Sequence, residues 1–458
     1  VPERLADIAT LRERVLAGER PRDLVQARRE VARVRAQASR CVVRWLGAAE
    51  GAPGHEAFAN PTALPLAGVT VAHKDIFDLA GWRPGRGRDD GQADAACREA
   101  PVVARLREAG ATQIATLAMA EHACGATAYN VHQAECLNPI RAGLALGGSS
   151  SGSAAAVAAG VVDGSLGTDT AGSVRIPAAT CGLLGLKPTW NRLPTQGVAA
   201  LAPTLDTVGL LARTPDDLQQ LWRAASGAIV PAAEVGTPNT PASSQGLMRT
   251  SSASRVRAWL PPAASDAVRA ALVHALALLG ATDTFDELPG FDEATRLAEV
   301  VLHGEAAQTL DAELRASDGS PTVRAVALQG VALPASWLQA AKARRAEVLR
   351  CFVHQNFANA DVLLMPALAS EVPERDSVTP GTPAFSARAL SGLFRFMGFA
   401  NYLGLPALVF PVARDARGLP VCVQAIARPH QEERLIALAR TCAARDPAIT
   451  EIMSFHGS

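Results

Sequence analysis

Apolar positions along the chain change their period several times. Val25, Val31, Val34, Ala38 and Val42 recur at helical spacing among Arg and Gln, with Asp23 placed to cap the run. This pattern predicts a helical lead-in over residues 1–60, packed on the main body. From Pro65 short apolar runs alternate with helical stretches: Leu66 to Ala72, a helix near Pro101 to Glu108, then Thr112 to Leu117. Such alternation points to an α/β sheet with helices on both faces.

Two more blocks follow the same pattern, from Gly152 to Asp206 and from Asp361 to Arg445. In the second, Asp361 to Pro366 and Ala407 to Pro411 read as buried strands. Between the blocks, Gly227 to Ser254 is rich in Pro, Ser, Thr and Ala, which reads as an exposed connector. Long helices follow, including Ala335 to Asn359, so residues 227–359 are expected to form a connector and a flanking helical lobe.

Composition narrows the class. At 458 residues the chain can bury a large core without a metal or disulfide staple, and with 48% hydrophobic residues and zero formal charge it reads as globular and soluble. The charge balance excludes a protein-wide basic footprint for nucleic acid. Eight cysteines lie scattered without a C-x-x-C pair, which predicts reduced thiols and a cytoplasmic setting. The uncharged stretch Ala142–Val162 holds nine Gly or Ser residues, too polar for a membrane span. Val1 to Glu50 is charged throughout and carries no apolar leader segment.

The chemistry concentrates in three places. Gly147-Gly148-Ser149-Ser150-Ser151-Gly152-Ser153 precedes an Ala-rich run that can begin a helix, so converging N–H groups there suit an anion. Ser173 lies within Gly167 to Pro177, where small residues let a carbonyl approach and the N–H groups of Thr170 to Ser173 can receive an oxyanion. Asp169 and Arg175 flank it, either as anchors of that turn or as an ordinary surface ion pair. Lys74, one of only three lysines, ends an apolar run that reads as a strand. Delivered into a small-residue pocket, it would be desolvated and act as a base toward a serine.

Taken in order, Lys74, Gly147-Gly148-Ser149-Ser150 and Gly167 to Pro177 resemble the amidase signature family. Gly185 to Thr189, Thr204 to Gly209, Asp361 to Pro366, Gly404 to Ala407 and Gly418 to Gln424 add to the likeness. The resemblance implies one α/β domain over 1–458, a mixed twisted sheet covered by helices on both faces, with the sheet core at 61–226 and 360–445. It also implies a Ser-cisSer-Lys triad: Ser173 the nucleophile, Ser149 a bridging serine on a cis peptide, Lys74 the base. Thr170, Ala171, Gly172 and Ser173 would form the oxyanion hole, supported by Ser150, Asp169 and Arg175. Met119, Ala123 and Cys124, in the segment matching the acyl-pocket wall, would contact substrate. No cofactor or metal is implied. Ser151, His73 and His122 depart from the family's usual residues, and His122 and its neighbours bear on pocket shape.

The expected partner is a small amide or carbamate, with no nucleic acid or membrane, and the expected assembly is a monomer or homodimer. Apolar Met119, Leu144, Leu146 and Ile176, with Phe385, Phe394, Phe396, Met397, Phe399 and Tyr402, favour a hydrophobic or aryl amide or an aryl carbamate if the aromatic stretch folds over the mouth. The same aromatics also fit a buried helix face. Three rivals remain. Gly148 to Gly152 matches the G-x-S-x-G elbow of α/β-hydrolase esterases, with Asp361 and His430 following in order. His122, Cys124, His132 and Cys136 offer zinc donors. An A-type amidotransferase component working on aminoacyl-tRNA belongs to the same family.

Overall fold

Seven segments of four to eight residues are buried at every position, which suits strands covered on both faces. The computed structural model describes residues 6–47, 61–88, 91–227 and 254–453. Its main sheet has eleven strands. They are β1 (Val42–Trp45), β2 (Thr70–Lys74), β3 (Thr112–Leu117), β4 (Gly164–Asp169), β5 (Leu184–Lys187), β6 (Thr207–Ala212), β7 (Val256–Trp259), β8 (Thr284–Phe285), β9 (Val362–Pro366), β10 (Ala407–Arg414) and β11 (Pro420–Ala427). Across the sheet the order is β1, β3, β2, β4, β6, β5, β10, β11, β9, β7, β8. Strand β2 runs parallel to β3 and β4, and β9, β7 and β8 run parallel at the far edge. The remaining pairs are antiparallel, so the sheet is mixed.

Alternate side chains of a strand point to opposite faces, and each face here has its own helices. In β6, Val208, Leu210 and Ala212 join an apolar cluster with Leu218, Leu221 and Trp222 of the helix Pro215–Ser226. Leu211 joins the other cluster with Ala154 to Val157 of the helix Ser151–Ala158. Both the lead-in and the middle region also supply strands, β1 at one edge and β7 and β8 at the other. The connector expected at 227–254 lies, except for its end residues, outside the described residues. No described helix is long and apolar enough to cross a membrane.

The lead-in helix, Pro21–Ser39, differs from its expected face. Pro21 opens it, and Asp23 pairs with Arg20 at 2.6 Å rather than capping a backbone N–H. Leu24, Val25, Ala32 and Ala36 are buried, while Val31 and Val34 are 47% and 68% exposed. Small side chains let this face approach the body closely, where Arg29 donates to the Leu46 carbonyl at 2.6 Å. Val42, assigned to the same helical run, lies in β1.

The aromatic stretch is also corrected. Phe396, Phe399 and Tyr402 join Trp259, Phe291, Phe352 and Phe357 in a third apolar core, with Trp259 and Phe396 edge to face at 5.5 Å. Phe385 and Phe394 are 40% and 41% exposed. These rings brace the fold behind the candidate site and do not line the cavity beside it.

Candidate active site

Lys74 closes β2, between β3 and β4, and only 1% of it is exposed. Its Nζ donates to Ser149 Oγ and to Thr168 Oγ1 of β4, both at 2.7 Å. Burial lowers the ammonium from its ordinary 10.5 to about 7, against the opposing pull of Asp206, Asp169 and Cys124. Near neutral pH much of Lys74 is therefore uncharged and able to take a proton.

The Gly148–Ser149 peptide is cis. Gly148 passes so close to the Thr127 segment that a Cβ there would lie 2.2 Å from the Thr127 carbonyl oxygen, so only glycine fits. The loop is held by backbone: Gly148 N–H donates to Ala126 O at 2.9 Å, and Ser149 O accepts from Ala120 N–H at 3.1 Å. Ser150 N–H donates to the Ser173 carbonyl at 3.1 Å, and its hydroxyl sits 3.3 Å from both the N–H and the carbonyl of Thr168. Ser150 thus ties this loop to β4 and to the Ser173 turn.

Asp169 and Arg175 are not a surface pair: both side chains are fully buried. Arg175 Nη2 and Nε donate to the two Asp169 oxygens at 2.8 and 3.0 Å, and the guanidinium also reaches Gln424 Oε1 and Asn401 Oδ1, each at 2.6 Å. Burial alone would raise the Asp169 carboxyl, but the charges of Arg175 and Lys187 and the Asn401 amide hold it well below the usual carboxylate range. Asp169 also accepts from Gly172 N–H at 2.9 Å and Val174 N–H at 3.2 Å, which shapes the turn. Gly172 is therefore withdrawn from the oxyanion donors. Thr170, Ala171 and Ser173 keep N–H groups without an acceptor among the described residues. Ser173 is 8% exposed, and its Oγ makes no hydrogen bond among the described residues.

A small cavity of about 70 Å³ opens beside Thr168 and Thr170, lined also by Ile76, Ala123, Leu201 and Asp206 among others. Of the three expected substrate contacts, only Ala123 lines it. The Met119 side chain packs in the core while its carbonyl accepts from Asn130 Nδ2 at 2.8 Å. Cys124 is buried, its thiol directed at the His122 carbonyl at 3.8 Å and pushed well up by burial. Thr168 and Asp206 had no role assigned in the sequence, although both lie inside blocks that carry the family likeness. Their side chains gain meaning only from partners far along the chain.

Two of the three rivals, the elbow and the zinc site, do not assemble. No strand leads directly into Ser150, the central serine of the G-x-S-x-G match, and its hydroxyl is engaged with Thr168. His430 sits elsewhere, donating its N–H to Thr189 Oγ1 at 2.7 Å, and Asp361 accepts from Arg255 N–H at 3.0 Å. Of the zinc donors, His132 lies 3.0 Å from Glu121, and Cys136 packs in the apolar cluster with Cys41. Among the described residues no group of three or more His, Cys, Asp or Glu could hold a metal ion.

Comparison with known proteins identifies the family. The Amidase family model matches residues 26–436. AtzE, a component of the 1-carboxybiuret hydrolase of Pseudomonas sp. (strain ADP), is 34% identical over 385 residues, covering 80% of this chain and 82% of that protein. The A-type component of the glutamyl-tRNA(Gln) amidotransferase of Bordetella avium (strain 197N) is 32% identical over 439 residues, covering 84% of each. A solved structure from a vestigial protein complex, described as revealing the evolutionary origins of an s-triazine catabolic enzyme, superposes with a TM-score of 0.81 at 27% identity, covering 96% of this chain and 98% of that one. The chain belongs to the amidase signature family and is an amidohydrolase acting on C–N bonds other than peptide bonds.

Proposed function

We propose that the protein cleaves its substrate through a serine acyl-enzyme, with Ser173 as nucleophile, Ser149 as relay and Lys74 as base. The observation that carries this reading is the buried contact from Lys74 Nζ to Ser149 Oγ at 2.7 Å, beside a Ser173 hydroxyl that no other group holds among the described residues. Neutral Lys74 accepts a proton through Ser149 as Ser173 Oγ attacks the carbonyl carbon, and the N–H groups of Thr170, Ala171 and Ser173 receive the oxyanion. The proton then returns along the relay to the departing nitrogen as the C–N bond breaks. Water, activated in the same way, adds to the acyl carbon and releases Ser173.

For the substrate we favour a neutral amide or carbamate with an apolar group, an aryl one included. The aromatic stretch no longer supports this, but the cavity lining does: Ile76, Val198, Ala199, Leu201 and Val208 are apolar, and no Lys or Arg is among the lining residues to balance an anionic substrate. A second reading, an A-type component of an amidotransferase, draws on the 32% identity with the Bordetella avium protein. A panel of chromogenic anilides, aryl carbamates, primary amides and ureas, run on wild type and Ser173→Ala, tests the proposal. Turnover of anilides or carbamates that is lost in Ser173→Ala is expected. Activity restricted to glutamine, or kept in Ser173→Ala, would overturn the reading.

A further inference from the structure

Asp206 stands immediately before β6 and touches three parts of the site at once. One carboxylate oxygen accepts from the Thr170 hydroxyl at 2.6 Å. The other accepts from the N–H groups of Leu201 at 2.8 Å and Ala202 at 3.2 Å, which fixes the cavity wall. The side chain lines the cavity itself, together with Thr168, the second acceptor of Lys74, and Thr170, the first donor of the oxyanion turn.

Its charge acts as well. The charged and titratable groups that bear on Lys74 are Asp206, Asp169 and the Cys124 thiol, and Asp206 is the strongest of the three. Asp169 is already engaged by Arg175 in a bidentate pair, which directs most of its field at the guanidinium. Cys124 is a neutral thiol over the working range because burial pushes it up. Asp206 has no basic side chain bonded to it among the described residues, and burial pushes its carboxyl up to about 6, so it is largely ionised at neutral pH.

We propose that Asp206 is a positioning residue for the reaction: it orients Thr170 and the Leu201–Ala202 turn, and its carboxylate holds the charge of the buried lysine from the same edge of the sheet. The proposal rests on Lys74 being the base. Its two parts separate experimentally. Asp206→Asn removes the charge, whereas Thr170→Val removes the hydroxyl contact and leaves both the charge and the Thr170 backbone N–H in place.

The test is the pH profile of kcat/KM for wild type and both variants, with thermal midpoints recorded alongside. Without the carboxylate the Lys74 ammonium is less stabilised and loses its proton at lower pH, so the acid limb of Asp206→Asn is expected to move about one pH unit toward acid. Thr170→Val is expected to lose about tenfold in kcat through misorientation while its limb stays at the wild-type position. Limb position does not depend on how much of the sample is folded, so a destabilised variant still reports. An unmoved limb in Asp206→Asn, or an equal shift in Thr170→Val, would overturn the proposal. Lys74→Ala separates this from the underlying reading: retained activity there refutes the base assignment, whereas an inactive Lys74→Ala with an unmoved Asp206→Asn limb refutes only the role of Asp206.

Discussion

Replacing Lys74 by methionine should abolish activity and yet stabilise the protein near neutral pH. The folded protein holds the ammonium at about 7, while the unfolded chain keeps it near its ordinary 10.5. Between those values the unfolded state binds more protons, so this residue's contribution makes stability rise with pH. Worked through, the linkage amounts to a penalty of about 4 kcal/mol at pH 7 and about 2 kcal/mol at pH 9, vanishing above about pH 11. Methionine has a similar length and carries no charge to desolvate. Against this gain stand the two hydrogen bonds to Ser149 and Thr168, whose loss costs about 1 kcal/mol each. The net expectation is a Lys74→Met protein more stable than wild type by about 2 kcal/mol at pH 7, with the advantage gone near pH 9.

Urea unfolding followed by tryptophan fluorescence at pH 7, 8 and 9, at constant ionic strength, measures this difference. Lys187, also buried and lowered to about 7, titrates in both proteins and cancels in the comparison. Asp169, held well below, is ionised throughout the window, whereas Asp206, raised to about 6, loses the Lys74 charge in the variant and rises further, which adds to the narrowing of the difference with pH and does not oppose it. What decides the matter is the slope, a narrowing of about 2 kcal/mol from pH 7 to pH 9. A difference between the two proteins that stays constant with pH would refute the claim that Lys74 is buried with a lowered pKa.

Other expectations follow from the same geometry. Arg175→Met leaves the Asp169 carboxylate buried without its guanidinium and should cost about 3–5 kcal/mol in urea unfolding, with kcat falling as the 169–175 turn relaxes; unchanged unfolding would contradict the buried pair. Gly148→Ala drives a Cβ to 2.2 Å from the Thr127 carbonyl and displaces Ser149, so kcat should fall by about 100-fold while the far-ultraviolet circular dichroism keeps its shape. His430→Ala should leave kcat/KM within about twofold of wild type, because its ring takes no part in a lysine-based relay; a collapse of activity would restore the elbow reading.

What the sequence disclosed depended on how local each signal was. The helix Pro101–Glu108 and the strand Thr112–Leu117 stand where the apolar pattern put them, since a proline at the helix start and a short bounded run mark them locally. The run Leu66 to Ala72 overshot at one end, because Thr70 begins the strand only where it pairs with Thr112 and where Asp163 receives its N–H at 2.9 Å. Val31 and Val34 misled for the opposite reason: periodicity finds an apolar stripe, but close approach favoured the Ala32 and Ala36 side. Lys74, Ser149 and Ser173 stood out as unusual residues in small-residue surroundings. Asp206 did not, since a carboxylate before a strand is commonplace and its partner Thr170 meets it only in three dimensions, where Lys74 also comes to the same sheet edge.

Topology explains why these particular residues meet. Strands β2 and β4 are parallel neighbours, so their carboxyl ends, Lys74 and Asp169, emerge at the same edge of the sheet. Strand β6 lies antiparallel to β4 with Thr207 opposite Asp169, which brings the residue before its start, Asp206, to that edge as well. One edge of three adjacent strands thus carries a lysine, the turn leading to Ser173 and a carboxylate, and the Ser149 loop closes over them through its contacts to Lys74, Ala120 and Thr168. In such an arrangement each polar group is held by a strand end or a backbone contact. A one-residue slip of β6 against β4 would turn Asp206 away from Thr170 while leaving every motif in the sequence intact.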